Sequence, residues 1–192
     1  MLAYLGNYFN LKKSFVFYGA YHHQWVNQII HVLFVPAIFA TALSFIARVP
    51  ITGDINLSHI VAAFYSVSFI KMEPIAGALY APIIAAMEYL AVRVLVHHVP
   101  MSIGIHLLGW ATQILGHKFA EGRQPAFRED PLQAIHAAVF FVWLEVLFFL
   151  GYRPAEKAEL EKLVKERIRM MNVVEGAAEV PKVNAAPKKA SA

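Results

Sequence analysis

Three stretches without a single charged residue limit what this chain can fold into. No Asp, Glu, Lys or Arg occurs from Ser14 to Ala47, from Val94 to His117, or from Pro131 to Leu144. A helix crossing the hydrocarbon of a bilayer takes about 20 mostly apolar residues, with every backbone polar group satisfied inside the segment. The first two stretches are long enough as they stand. The third becomes a span if Glu145 is buried against a partner and the helix continues through Val146–Leu150, because a charge within a span faces the bundle interior. Composition agrees: 58% of the 192 residues are hydrophobic and 16% charged, and mean hydropathy is +0.51. That is more apolar surface than one soluble core of this length hides. The expected fold is all-α, a polytopic membrane bundle of about four to six membrane-embedded helices, with no strand pattern and no internal repeat.

Along the chain, Ser14–Arg48 is expected to begin as an interfacial helix and become the first span, kinked at Pro36. Val49–Leu57 reads as a turn-rich loop. Ser58–Ile70 and Pro74–Val96 are two short spans or one helical hairpin, interrupted by KMEP. Ile103–Lys118 is a further span, Phe119–Asp130 a polar loop and Leu132–Gly151 the last span. Residues 1–152 thus form the membrane-embedded catalytic domain. Residues 153–175 read as an amphipathic surface helix whose apolar edge is Leu160, Leu163, Val164, Ile168 and Met171, placed on the membrane surface. Residues 176–192 are Ala/Pro/Lys-rich and expected to be disordered.

Lys12, Lys13 and the basic tail favour the cytoplasmic side for both termini, which demands an even number of crossings. Lys118, Arg123 and Arg128 favour the same side for their loop, and a re-entrant segment reconciles all three. Met1–Asn10 lacks the basic start and short apolar core of a cleavable signal, so the first span is expected to act as the membrane signal. The absence of cysteine excludes disulfides, thiolate zinc sites and iron–sulfur clusters.

The nine histidines carry the chemistry. In YHHQWVNQIIHVLFVP (Tyr21–Pro36), His23, Asn27 and His31 recur every four residues and share one face of a helix. His22 lies about 100° round from His23, so both reach a common centre only if the helix end is irregular or a second helix approaches. In HLLGWATQILGHKFAEGRQPA (His106–Ala126), Gln113, His117 and Glu121 repeat the spacing, and His106 falls on the same stripe. Two facing helices with polar groups at this spacing make a metal site in a bundle. Imidazole and carboxylate ligands suit iron, zinc or copper, and open positions on Fe(II) permit oxygen chemistry. Asn27 and Gln113 are partners for the second ring nitrogens. Arg123 is placed to hold a substrate carboxylate by a bidentate contact. Glu145 is either a partner of the site or of a basic group. Glu88 and Arg93 are a possible pair, while His59, His97, His98 and His136 read as core or interfacial.

These two motifs, together with FFVWLEVLFFLGYRP, resemble the fungal-type 2-hydroxy fatty acid dioxygenase family from about Phe15 to Pro154. The resemblance implies an endoplasmic-reticulum membrane enzyme using Fe(II) and O₂. It would shorten a long-chain 2-hydroxy fatty acid by one carbon with release of CO₂, an α-oxidation within sphingolipid long-chain base degradation. Carried onto this chain, the motifs give His22, His23, His31 and His117 as metal ligands, Asn27, Gln113 and Glu121 as catalytic residues, and Arg123 as the basic residue before Pro-Ala. The overall change, R–CH(OH)–COOH + O₂ → R–COOH + CO₂ + H₂O, moves four electrons, which O₂ accepts. No nicotinamide or flavin is required, and the sequence has no dinucleotide-binding glycine fingerprint. The acyl chain is expected to lie between the apolar helices.

Two rivals give different signatures. A di-iron membrane desaturase or hydroxylase needs H-x3-H and H-x2-H-H boxes, which are absent from the sequence. A non-enzymatic lipid-binding or structural membrane protein would hold no stoichiometric metal and would tolerate substitution of its histidines.

Overall fold

The computed structural model describes residues 9–126 and 129–179. Seven α-helices account for most of this part of the chain: α1 (Leu11–Gly19), α2 (Trp25–Ile46), α3 (Leu57–Met72), α4 (Pro74–Arg93), α5 (Val99–Gly116), α6 (Pro131–Phe149) and α7 (Pro154–Glu179). A single 3₁₀ turn, Leu95–His97, follows α4, and a π-helical turn, His117–Glu121, follows α5. The all-α membrane bundle expected from the sequence is what is found. Trp25–Ile46, Pro74–His97 and Pro131–Phe149 are long and apolar enough to cross a membrane. The helices turn large apolar side chains outward, Leu33, Phe64, Leu79 and Leu107 among them, as helices bathed in lipid do. The interior is aromatic, with Phe69 and Phe140 stacked at 4.7 Å and Tyr80 on Trp143 at 5.4 Å.

The structure departs from the sequence reading in several places. Ser14–Arg48 is not one continuous helix: the chain breaks between Gly19 and Trp25, so His22 and His23 stand outside helical geometry. The loop after α2 contains a small antiparallel hairpin, β1 (Pro50–Thr52) and β2 (Ile55–Asn56), where no strand was expected; Gly53, at φ +51°, turns it. Glu88 pairs with neither Arg93 nor its own helix face but accepts from Ser58 Oγ at 2.8 Å and lies 3.6 Å from His59 Nε2.

The interruption at KMEP makes a tight helical hairpin. Glu73 caps α4 by accepting from Ala76 N–H. It also accepts from Tyr152 Oη and pairs with Arg153, both at 3.0 Å. α3 and α4 then approach so closely that a Cβ on Gly77 would stand 2.4 Å from the backbone of Phe69 and Ile70.

One end of the bundle is polar. Lys12 pairs with Glu159, and Glu129 receives both Tyr21 Oη and Arg167 at 2.6 Å. Burial and the Glu129 carboxylate push the Tyr21 phenol up to about 12. Glu73 with Arg153 belongs to the same end, whereas Arg48, which donates to Val96 C=O, marks the opposite one. Both ends of α6 are therefore tied to one polar end, although the helix is long enough to cross. On the apolar edge of α7, Leu160 and Val164 are buried and the helix packs on α1, while Leu163, Ile168 and Met171 are half-buried. The expected disordered tail overlaps α7 as far as Glu179, and from Val180 it lies outside the described residues.

Gly77→Ala is expected to destabilise the bundle by about 2 kcal/mol or more, because the atoms it meets are backbone and cannot rotate away. Thermal unfolding in detergent measures this. A variant as stable as the parent would show that the hairpin opens freely.

Candidate metal centre

The break before α2 is what assembles the site. Glu121, on the π-helical turn after α5, is almost wholly buried. Its Oε1 accepts from Gln24 N–H at 2.9 Å, capping α2 from another element, and from Asn27 Nδ2 at 3.2 Å. Its Oε2 lies 2.6 Å from His23 Nδ1. Asn27 also reaches Tyr21 C=O at 3.3 Å, closing the break from inside. Gly116 permits the approach, since a Cβ there would stand 2.5 Å from Asn27 Oδ1.

This clamp turns His22 back over α2, where it meets His31 and His117. All three rings are buried. One nitrogen of each lies within 4.8 Å of the others, and ring centroids are 4.3–5.0 Å apart in edge-to-face arrangements. Metal–nitrogen bonds of about 2.1 Å hold three donors at most about 3.6 Å apart, so inward ring shifts of up to about 0.7 Å each close the three around one ion.

Hydrogen bonds fix the tautomers. His22 Nδ1 lies 2.8 Å from Tyr18 C=O, and His31 Nδ1 lies 2.9 Å from Asn27 C=O. A carbonyl only accepts, so each Nδ1 carries the proton and each Nε2 keeps a lone pair for the centre. Tyr18 also stacks on His22 at 4.1 Å. Gln28 donates to His22 C=O at 2.9 Å and to Glu145 at 3.3 Å, so Glu145 acts two contacts away from the ring. Burial, then the neighbouring His31 and His117, holds the His22 imidazole well below its ordinary value and therefore neutral.

The residues fit a metal. Three neutral imidazoles converge in a dry pocket, and His117 Nδ1, Gln113 Nε2 and Asn27 Oδ1 are buried without a hydrogen-bond partner. Groups of that kind cost free energy unless something satisfies them.

Of the residues singled out in the sequence, His22, His31 and His117 come together, and Gln113 lines their cavity. Asn27 and Glu121 form the clamp. His23 sits on Glu121, half-exposed and outside the cluster of three. Arg123 reaches Asn172 and Met171 on α7, tying the π-helical turn to the C-terminal helix. His106 turns from the centre: its Nε2 accepts from Trp110 Nε1 at 3.0 Å, so its Nδ1 carries the proton shared with Thr41 Oγ1 at 2.8 Å. Sequence reasoning missed Tyr18 and Gln28. Tyr18 precedes His22 by four residues, a spacing that could have revealed it; Gln28 had no such signal.

A helical membrane bundle with a buried three-histidine centre is thus the class of protein that the fold and site define. The chain matches over residues 8–150 the family model described as 2-hydroxy-palmitic acid dioxygenase Mpo1-like, and it belongs to that family. It is 30% identical over 156 residues to the 2-hydroxy-palmitic acid dioxygenase MPO1 of Saccharomyces cerevisiae, covering 79% of this chain and 88% of the yeast protein. No solved structure matches.

His22→Ala, His31→Ala and His117→Ala are each expected to cut the metal content of the purified protein at least fivefold, while His23→Ala retains it. Elemental analysis decides, and loss of metal in His23→Ala would put that ring among the ligands. The metal-free protein is also expected to lose stability as pH falls below about 6.5. His22 has a folded-state value depressed below that of the unfolded chain, so the unfolded state takes up the proton first. A melting temperature constant from pH 8 to 5 would contradict this.

Proposed function

We propose that this protein is an Fe(II)-dependent membrane dioxygenase that converts a long-chain 2-hydroxy fatty acid and O₂ to the one-carbon-shorter fatty acid, CO₂ and water. The observation that carries the reading is the convergence of His22, His31 and His117 in a membrane bundle, in a chain of a family described by that activity. Fe(II) held by these three rings would supply open positions for O₂ and substrate, and the redox capacity the reaction needs.

The protein's own part is to hold and select. Tyr18 and Asn27 carbonyls keep Nε2 of His22 and His31 unprotonated. Three neutral imidazoles leave a divalent charge uncompensated, which favours an anionic ligand such as the carboxylate of a 2-hydroxy acid. Gln113 Nε2 is a buried donor without a partner at this cavity, placed to bind a carboxylate or 2-hydroxyl oxygen. Glu121, Asn27 and His23 act as positioning residues through the clamp. The apolar walls, Phe17, Tyr18 and Ala137 among them, keep bulk water from the reacting atoms. In this reading the polar end, with Lys12, Lys13 and the lysines and arginines of α7, faces the cytoplasm from the endoplasmic-reticulum membrane. The reaction there would serve breakdown of the 2-hydroxy acid formed from phytosphingosine.

Chelator-stripped protein in detergent is expected to be inactive on 2-hydroxypalmitate. Fe(II) under air restores a fatty acid one carbon shorter, with one CO₂ released per O₂ consumed. His117→Ala inserts normally but turns over less than about 1% of the parent. Failure of every divalent metal to support turnover in a folded sample would remove the enzyme reading in favour of lipid binding.

A further inference from the structure

A second cavity of about 270 Å³ adjoins the histidine centre. The two share Trp110, Gln113, Ala134 and Ala138. From these shared residues the second cavity runs along one face of α2, past Val35 and Phe39 to Ala42, Leu43 and Ile46, with Val61 of α3 beside its far end. His31, at the centre, and Ile46 are fifteen residues apart, about 22 Å along the helix. That is close to the length of an extended chain of about sixteen carbons. The lining is almost entirely apolar, and His106 has both ring nitrogens bonded within the protein. Among the fully buried polar atoms of the lining, Gln113 Nε2, on a residue 92% buried and located where the two cavities meet, has no hydrogen-bond partner. The groove begins near the polar end of the bundle and descends into its apolar middle, the orientation an acyl chain has in the neighbouring leaflet. Ile135, in its wall, is exposed at the bundle surface, so a lipid can enter sideways from the bilayer.

We infer that this groove is the seat of the substrate's acyl chain. Gln113 holds the polar head at its mouth, and Ala42, Leu43, Ile46 and Val61 at its far end set the preferred chain length. The inference rests on the dioxygenase reading for the identity of the head group. A methylene that fits or fails to fit an apolar pocket changes selectivity roughly 10- to 200-fold, so filling the far end discriminates strongly between long and short chains. Ala42 is half-buried and small, and a phenyl ring there occupies the lower part of the groove while leaving the histidine centre untouched.

Two measurements test it. In the first, wild type and Ala42→Phe, each with its iron content determined, are assayed on 2-hydroxy acids of eight to twenty carbons. The ratio of kcat/KM for the sixteen-carbon acid to that for the eight-carbon acid is expected to fall about tenfold or more in the variant. A ratio within twofold of wild type, or equal loss on all lengths at full iron content, overturns the groove. In the second, wild-type protein is irradiated with palmitic acid bearing a diazirine near its methyl end. Adducts are expected within residues 42–46 or at Val61 and its neighbours on α3, and adducts confined to other helices overturn the assignment even if Ala42→Phe fails to fold. Absence of turnover by wild type on every chain length counts against the dioxygenase reading, while the cross-link still decides the groove.

Discussion

One carboxylate holds the rest in place. Glu121 sits on the last turn of an element that begins at Val99, yet its oxygens close the gap between α1 and α2. It caps α2 through Gln24 N–H, grips Asn27 and pairs with His23. A buried carboxylate is costly unless its acceptor positions are filled; here Gln24 N–H and Asn27 Nδ2 bond one oxygen, and the His23 ring lies against the other. The result is a chain reversal with a fixed path, and that path carries His22 back over His31. Without the clamp, the Ala20–Gln24 segment is still bonded to Tyr18, Asn27, Gln28 and Glu129, but none of these bonds ties it to the turn that carries His117.

Much of this was legible in the residues. The uncharged stretches marked the helices, because apolar length is a local property. His31, His117, Gln113, Asn27 and Glu121 stood out because their four-residue spacing survives in the folded chain, each on a continuous helix or just past its end. The exchange of roles between His22 and His23 was not legible. Placing both on one regular helix makes His23 the partner of Asn27 and His31; the break reverses this, and its cause lies ninety-seven positions away in Glu121. His106 misled for a related reason. Its place on the stripe was right, but Thr41 and Trp110 claim its nitrogens. The apolar edge of α7 was read correctly as an edge, though sequence alone could not say that α1 would cover it.

The two polar systems of the molecule do different work. At one end, Glu73, Tyr152 and Arg153 join the α3–α4 turn to the start of α7, and Tyr21, Glu129 and Arg167 join the entry to the site to its far part. These contacts fix the frame. Within the site, Gln113 Nε2, Asn27 Oδ1 and His117 Nδ1 are held rigidly but left without partners. Polar atoms left without partners at the centre are binding capacity open to something other than the protein itself.

The three rings of the cluster come from residues 22, 31 and 117. During synthesis the first two enter the membrane with the opening helices, long before the third leaves the ribosome. A nascent chain that has made α2, α3 and α4 therefore has two of the three rings and neither His117 nor the Glu121 that clamps the break. The cluster that could hold a metal is therefore completed late in biogenesis, after α5 has docked against α2. Until then the emerging protein exposes no complete three-histidine cluster to the lipid around it.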